Sequence, residues 1–393
     1  MAIFQPFCIV LILSSCVLAQ SHGNVFNVLD HGAIGDQVTD DTKGFMDAWE
    51  ATCRSSSASP TMHVPANKTF LLNPLNFRGP CSSANVNVEM NGKIIGLRDP
   101  SQWQCDRSGC DKWIHFKHVD GLFVHGSGTI DGQGEKWWHP SALAITDSNN
   151  VRISGLSFRN NPHVHVVLDS STSVYISNLS IEAPGNSPNT DGINIRGCKN
   201  VFISNCRIKT GDDCISIVEG SSYLNINNIT CGPGHGISIG SLGKSGSSAT
   251  VEYVHVSDVV FSGATNGVRI KTWQGGSGHA RHIIFERIRS RQSDNPIIID
   301  QFYCPYQHCT TQASAVHVTN VTYSQIWGTS RRKTAVNFAC SETVPCTDIF
   351  MDNININAAP HRRHPSKAMS SCQNAHGVAR GKMVPDVPCL VRS

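Results

Sequence analysis

The chain has 393 residues, a formal charge of +3 and only 16% charged residues. So small a positive balance gives no support to a nucleic-acid partner but suits an acidic polymer. Abundant Gly, Ser and Asn favour turn-rich β structure over long surface helices.

At the N-terminus, Phe7-Cys8-Ile9-Val10-Leu11-Ile12-Leu13 is an apolar run too short to span a membrane, followed by the small-residue pattern Val17-Leu18-Ala19. Residues 1–19 therefore read as a signal peptide, and residues 20–393 as one soluble, secreted domain with no membrane partner. Next, Asp41 is placed to cap a short helix in which Phe45, Trp49 and Cys53 share a face, giving the first coil of the domain a lid.

From residue 151 an apolar pattern repeats. Val151-Arg-Ile153-Ser-Gly-Leu156-Ser-Phe158 returns as Val174 to Ile181, Val201 to Ile208 and Val254 to Phe261, with looser copies beginning at Leu224, Ile283, Val316 and Ile349. Starts at 151, 174, 201, 224, 254 and 283 lie 23 to 30 residues apart. The alternation within each copy is that of a strand, and the recurrence is that of a solenoid. A parallel β-helix explains both. A sandwich has no reason to repeat one register at this spacing, and leucine-rich repeats would need more Leu.

A second strand recurs as Gly192-Ile-Asn-Ile195, Cys214-Ile-Ser-Ile217, Gly236-Ile-Ser-Ile239, Gly267-Val-Arg-Ile270 and Pro296-Ile-Ile-Ile299. Stacked at the spacing of neighbouring strands, about 4.8 Å, these copies make a column Asp191, Asp213, His235, Asn266, with Asp212 beside it and Arg269 and Lys271 on the next coil. After about residue 359 the pattern fades, and residues from about 360 read as a tail.

Sixteen cysteines, two of them (Cys8 and Cys16) in the leader, leave an even fourteen, as disulfides in an oxidising compartment require. Proximity suggests Cys105 with Cys110, Cys304 with Cys309 and Cys340 with Cys346, and makes Cys214 with Cys231 and Cys372 with Cys389 plausible. Zinc is the rival, but no CxxC has a matching second half. Sequons at Asn67, Asn178, Asn228 and Asn320 fit secretion.

The column gathers three carboxylates, an imidazole and two cations. Glycoside hydrolysis needs one carboxyl kept protonated for the leaving oxygen and another ionised as base or nucleophile, and clustered aspartates supply both states. Fixed cations would bind an acidic sugar. Singly, Asp212-Asp213 is an ordinary turn, Arg269 and Lys271 a solvated strand face, and His163 with His165 a structural or substrate-lining pair too sparse for a metal site. Their common register argues otherwise. Strict alternation back from Ile193 and Ile215 would turn Asp191 and Asp213 inward but Asp212, Arg269 and Lys271 outward, unless Gly192 and Gly236 break the parity.

Four ordered motifs, Asn189-Thr190-Asp191, Gly211-Asp212-Asp213, Gly234-His235-Gly236 and Arg269-Ile270-Lys271, resemble those of the polygalacturonases of glycoside hydrolase family twenty-eight, most closely the plant members. The stretches VLDHGAIGDQVTDDT, GSGTIDGQGEKWW, GVRIKTWQGGSG and IIIDQFYC extend the resemblance across nearly the whole mature chain. It implies an all-β, single-stranded right-handed parallel β-helix, here with its short N-terminal helix. It also implies inverting hydrolysis of α-1,4-galacturonosyl bonds of pectin, without cofactor or metal, by a monomer in the cell wall. Carried over, Asp212 is the general acid, Asp191 and Asp213 activate water, and His235 maintains the acid's proton. Arg269 and Lys271 bind substrate carboxylates, Tyr303 positions the sugar and Asn189 shapes the site. Cys198 and Cys206 stand outside this pattern. The WQGGSG stretch points to endo rather than exo action. Rival readings are a calcium-dependent pectate lyase on a similar solenoid and a non-catalytic pectin-binding wall protein, which would have no use for three converging aspartates.

Overall fold

The structure, a computed structural model, describes residues 24–103, 111–134, 141–305, 309–360 and 367–393. The leader and the Cys105/Cys110 pair lie outside these residues. Among the described residues the chain winds into a parallel β-helix whose strands form two long sheets, one of eleven strands and one of twenty. The eleven-stranded sheet runs from Leu75–Arg78 to Met369–Gln373, and every pairing in it is parallel.

The repeat read from sequence becomes a physical column. Val151, Val174, Val201, Leu224, Val254 and Ile283 are register partners from coil to coil, all buried in one continuous apolar core. The next member is Val321, five residues beyond the expected Val316, which is also buried but lies just before the strand His317–Ser330. Alternation explains the slip, since Val316, Val318, Val321 and Tyr323 are all apolar and buried, so hydrophobicity alone offers two frames.

The copies beginning at Val151, Val174, Val201 and Val254 carry Ser followed by Gly, Asn or Asp, the copy at Leu224 carries Asn227-Asn228, and the fold gives the reason. The second of these residues sits at the corner where the coil bends within the twenty-stranded sheet, in the left-handed region: φ is 80° at Gly155, 56° at Asn178, Asn205 and Asp258, and 51° at Asn228. Asn and Asp tolerate this conformation better than other side chains, because their short polar groups bond locally. The sequons at Asn178 and Asn228 thus occupy exposed corners of the solenoid. Asn228 also donates its amide to Asn205 Oδ1 at 2.7 Å, a rung between coils.

The lid is the helix Thr42–Arg54, whose buried residues include Phe45, Ala48, Trp49 and Cys53. Phe45 packs edge-on to Phe70, Trp49 packs on Phe77 and Phe116, and the indole donates to the Arg78 carbonyl at 3.2 Å. Asp41 stands at the helix start but makes no cap bond, its carboxylate accepting instead from the Ile34 and Gly35 amides, while Asp40 accepts from the Thr42 amide. Cys53 does more than pack: it is bridged to Cys81, a pair the sequence did not suggest. The four other expected bridges among the described residues form, Cys214–Cys231, Cys304–Cys309, Cys340–Cys346 and Cys372–Cys389. Cys198 and Cys206 are free thiols, buried and donating to backbone carbonyls.

At the other end, Met369–Gln373 and Ala375–Val384 pair with the coil before them, so the expected tail contributes another, thinner coil. Its core residues, Ala375, Ala379 and Met383, alternate too weakly to be read as a repeat. No helix among the described residues is long and apolar enough to cross a membrane.

The corner column yields a test. Asn205→Val is expected to cost about 1–2 kcal/mol in equilibrium denaturant unfolding, the usual penalty of a left-handed site for a side chain that cannot bond locally, and Asn205→Gly clearly less. Equal costs would mean that the Asn228 rung, and not the backbone, dominates at that corner.

Candidate active site

The register pairs Ile193 with Ile215, Ile215 with Ile237 and Ile237 with Val268, which aligns Asp191, Asp213, His235 and Asn266 two residues earlier as the spacing requires. These residues lie at the lip where each coil turns into the eleven-stranded sheet. The parity conflict resolves there, because the aspartates precede the strands that begin at Ile193 and Ile215. Gly192 allows the turn: a Cβ on it would meet the Cys214 carbonyl oxygen at 2.5 Å. Gly236 does the same from the left-handed side, at φ 91°.

Asp213 is the centre of the constellation. Only 1% exposed, it accepts from Arg269 Nη2 at 2.7 Å and Ser238 Oγ at 2.7 Å on one oxygen, and from Lys271 Nζ at 2.8 Å on the other. Burial alone would raise its pKa, but the Lys271 and Arg269 charges outweigh burial and hold it at about 2. Both cations are themselves largely buried, so the pair expected to face substrate is first of all the counter-charge of Asp213.

Asp191 is in the opposite state. Burial, and then the negative charges of Asp213 and Asp212, push its pKa up to about 7 against a 2.7 Å hydrogen bond donated by Ser216. Asp212 faces His235, whose Nδ1 lies 2.9 Å from Asp212 Oδ1. That bond raises the imidazole's pKa despite its burial. The loop is fixed by backbone: the His235 amide donates to the Asp212 carbonyl at 2.7 Å, and the Gly211 amide to the buried Thr190 hydroxyl at 3.0 Å.

The remaining expected residues fall into two groups. Tyr303 is near, its ring 5.2 Å from Lys271 Nζ and 5.5 Å from Trp273. Asn189 lies exposed at the same lip in the left-handed conformation, φ 55°. Asn266 bonds the His235 carbonyl and serves as scaffold. His165 is fully buried behind Asp191, with Nδ1 3.0 Å from the Asp191 carbonyl, and burial lowers its pKa to about 4. It is a neutral structural imidazole.

Ser216 and Ser238 were missed as site residues, since they look like polar filler between Ile215 and Ile217 and between Ile237 and Ile239. The signal was their row: Asn194, Ser216, Ser238 and Arg269 are register partners on the outer face. Asn194 donates to Ser216, Ser216 to Asp191, Arg269 Nε to Ser238, and Ser238 to Asp213. Asp212, Asp213 and His235 also offer ligand atoms within 4.8 Å of one another, as a metal site would. Yet both Asp213 oxygens already accept from cations and His235 Nδ1 already faces Asp212, a donor set satisfied from within.

Residues 53–383 match the family profile of the glycosyl hydrolases family 28. The chain is 46% identical over 377 residues to a probable polygalacturonase of Arabidopsis thaliana, covering 93% of this chain and 81% of that protein. It is 44% identical over 368 residues to polygalacturonase-2 of Solanum lycopersicum, covering 90% and 78%. Among solved structures, an endo-xylogalacturonan hydrolase of Aspergillus tubingensis superposes with a TM-score of 0.75 at 24% identity, covering 94% of this chain and 98% of that one, a likeness of fold. With its ordered motifs and β-helix, this chain belongs to the glycosyl hydrolases family 28.

Proposed function

We propose that the protein is a secreted polygalacturonase that hydrolyses α-1,4-galacturonosyl bonds of pectin by an inverting, endo-acting acid/base mechanism. The observation that carries this reading is the division of labour among the aspartates: Asp213 ionised by two cations, Asp191 pushed up by its neighbours, and Asp212 paired with an imidazole. Glycoside hydrolysis requires such unlike carboxyls side by side. Polygalacturonase relatives at 44–46% identity support the substrate. The leader-like N-terminus and the formed disulfides support secretion. The WQGGSG stretch supports endo action.

In this reading the proton for the leaving oxygen resides in the His235–Asp212 pair. It passes from Nδ1 to Asp212 across 2.9 Å, and from Asp212 to the glycosidic oxygen. Asp213, ionised over the whole working range, takes the proton of the attacking water, and Asp191 fixes that water from the other side. Lys271 has three N–H donors and Arg269 five, of which Asp213 and Ser238 take one and two. The rest remain for a substrate carboxylate. Activity falls as pH rises through the elevated range of His235, because the pair then lacks its proton.

Two measurements test this reading. The first is incubation with unesterified polygalacturonate, reading reducing ends, ultraviolet absorbance and product size together. Reducing ends without absorbance, as mixed oligomers, are expected. Absorbance would mean elimination by a lyase, monomer alone from the outset would mean exo action, and no product from folded protein would return the binding-protein reading. Asp212→Asn is expected to lose at least about a hundredfold in kcat with folding retained.

The second is stability against pH. The Asp191 pKa is above its unfolded value, so between about pH 4 and 7 the folded state holds a proton that the unfolded chain has released, and stability declines as pH rises through that window. Asp191→Asn removes this contribution. The variant should gain roughly 1–3 kcal/mol over the unaltered protein at pH 8 and little at pH 4. An equal effect at both pH values would place the proton elsewhere in the cluster.

A further inference from the structure

A hollow of about 470 Å³ opens on the outer face of the twenty-stranded sheet, whereas Asp191, Asp213 and His235 border the eleven-stranded one. Repeat geometry explains it. The residues just before the core positions Leu122, Val151, Leu224, Val254 and Ile283 stand at a corner in the left-handed region: Gly121, Asn150, Tyr223, Tyr253 and His282, with φ between 55° and 67°. Further along the solenoid the three rings stack at 4.7 Å and fill the step from coil to coil. Gly121 leaves its step open, and a Cβ there would meet the Ala84 carbonyl oxygen at 1.9 Å. Asn85 and Asn150, on the coils to either side, and the outward row Phe123, Arg152 and Tyr175 line the gap. Arg152 is the only charged residue of the lining; it is exposed, and among the described residues its guanidinium has neither an ion pair nor a hydrogen bond. Asp120, beside Gly121 in the chain, lies outside the lining and accepts from the Asn149 amide at 2.7 Å and from its carboxamide at 3.1 Å. Tyr175 stacks on Phe202, with ring centroids 5.0 Å apart and planes 6° from parallel, so one face is covered and the other is turned to the coil of Arg152.

We propose that this hollow is a second carbohydrate site, remote from the bond being cleaved, that takes a uronate ring of an acidic polysaccharide. Each part of the lining matches one part of such a sugar. The planar fork of Arg152 suits the carboxylate, the open face of Tyr175 suits the C–H face of a pyranose, and the carboxamides of Asn85 and Asn150, which make no hydrogen bond among the described residues, suit its hydroxyls. The single uncommitted charge decides the class of ligand. It favours a polymer bearing a carboxylate on its rings over a neutral one, while a bare inorganic anion would engage Arg152 and leave the aromatic faces and the carboxamides idle. The volume is that of a small-molecule pocket, well short of a protein interface. The site rests on the proposed activity only for the choice of polymer, and it would hold the protein on that polymer independently of the candidate active site.

The test titrates the Asp212→Asn chain, which should not consume its ligand, with a galacturonate trimer in a calorimeter, alone and with Arg152→Gln, Arg152→Lys or Tyr175→Ala added. Two classes of site are expected, one at the aspartates and one at the hollow. Arg152→Gln should weaken the second about three- to tenfold, the scale of one exposed charge pair, and Tyr175→Ala by a similar factor. Arg152→Lys keeps the charge without the fork and should lose less than Arg152→Gln. Affinity at the aspartates should stay the same throughout, which also shows that the fold is intact. A galactose trimer or inorganic phosphate at the same concentration should leave the hollow empty. A single class of site unmoved by Arg152→Gln would overturn the assignment, and so would equal binding of the neutral trimer or of phosphate at the hollow. Binding at the hollow alone, with no hydrolysis by the unaltered chain, would overturn the proposed activity and support the second site.

Discussion

The candidate site depends on one buried carboxylate and the two cations that keep it charged. An ion such as Asp213, nearly sealed from water, costs several kcal/mol to bury unless its oxygens are fully engaged. Arg269, Lys271 and Ser238 engage them. Once Asp213 is held ionised, the rest of the electrostatics is set. Its charge is one of the pressures that keep a proton on Asp191, and it also helps keep one on His235. Removing either cation would therefore change the protonation of groups it does not touch, because neighbouring titrations of this kind belong to the set.

The triad can exist because a solenoid converts sequence distance into stacking. Asp213 and Lys271 are 58 positions apart, yet lie two coils apart in space. Any drift in register would separate them, and the fold guards against drift with uninterrupted columns of Val, Leu and Ile inside and left-handed Asn and Asp corners outside. The corners fix where each coil bends, the core fixes how each strand seats on the last, and the outer row of Asn194, Ser216, Ser238 and Arg269 inherits its alignment from both. The site is thus a consequence of repeat geometry as much as of the residues it brings together.

This explains which features were legible in the sequence. The column Asp191, Asp213, His235 and Asn266 could be read because strands in one register reveal their neighbours without any three-dimensional search. The disulfides between near neighbours could be read for the same reason. The Cys53–Cys81 bridge could not, since it joins the lid helix to the body of the solenoid through a turn that no repeat governs. Ser216 and Ser238 were hidden by their chemistry, because a serine between isoleucines signals an outward position and nothing about what it bonds. The slip from Val316 to Val321 and the thin last coil have a common cause. Where apolar residues are too dense or too small, alternation stops specifying a single frame.

Arg269, Lys271 and Lys244 show how differently such a fold constrains strand and loop positions. The first two rise from a strand, are largely buried, and are committed to Asp213, so altering them alters the protonation of the centre. Lys244 stands exposed on a loop between strands, outside the column. Strand positions in a solenoid are constrained by two neighbouring coils at once, whereas loop positions are constrained by little beyond their own turn. Loop residues can therefore vary while the cluster around Asp213 stays fixed by the sheet.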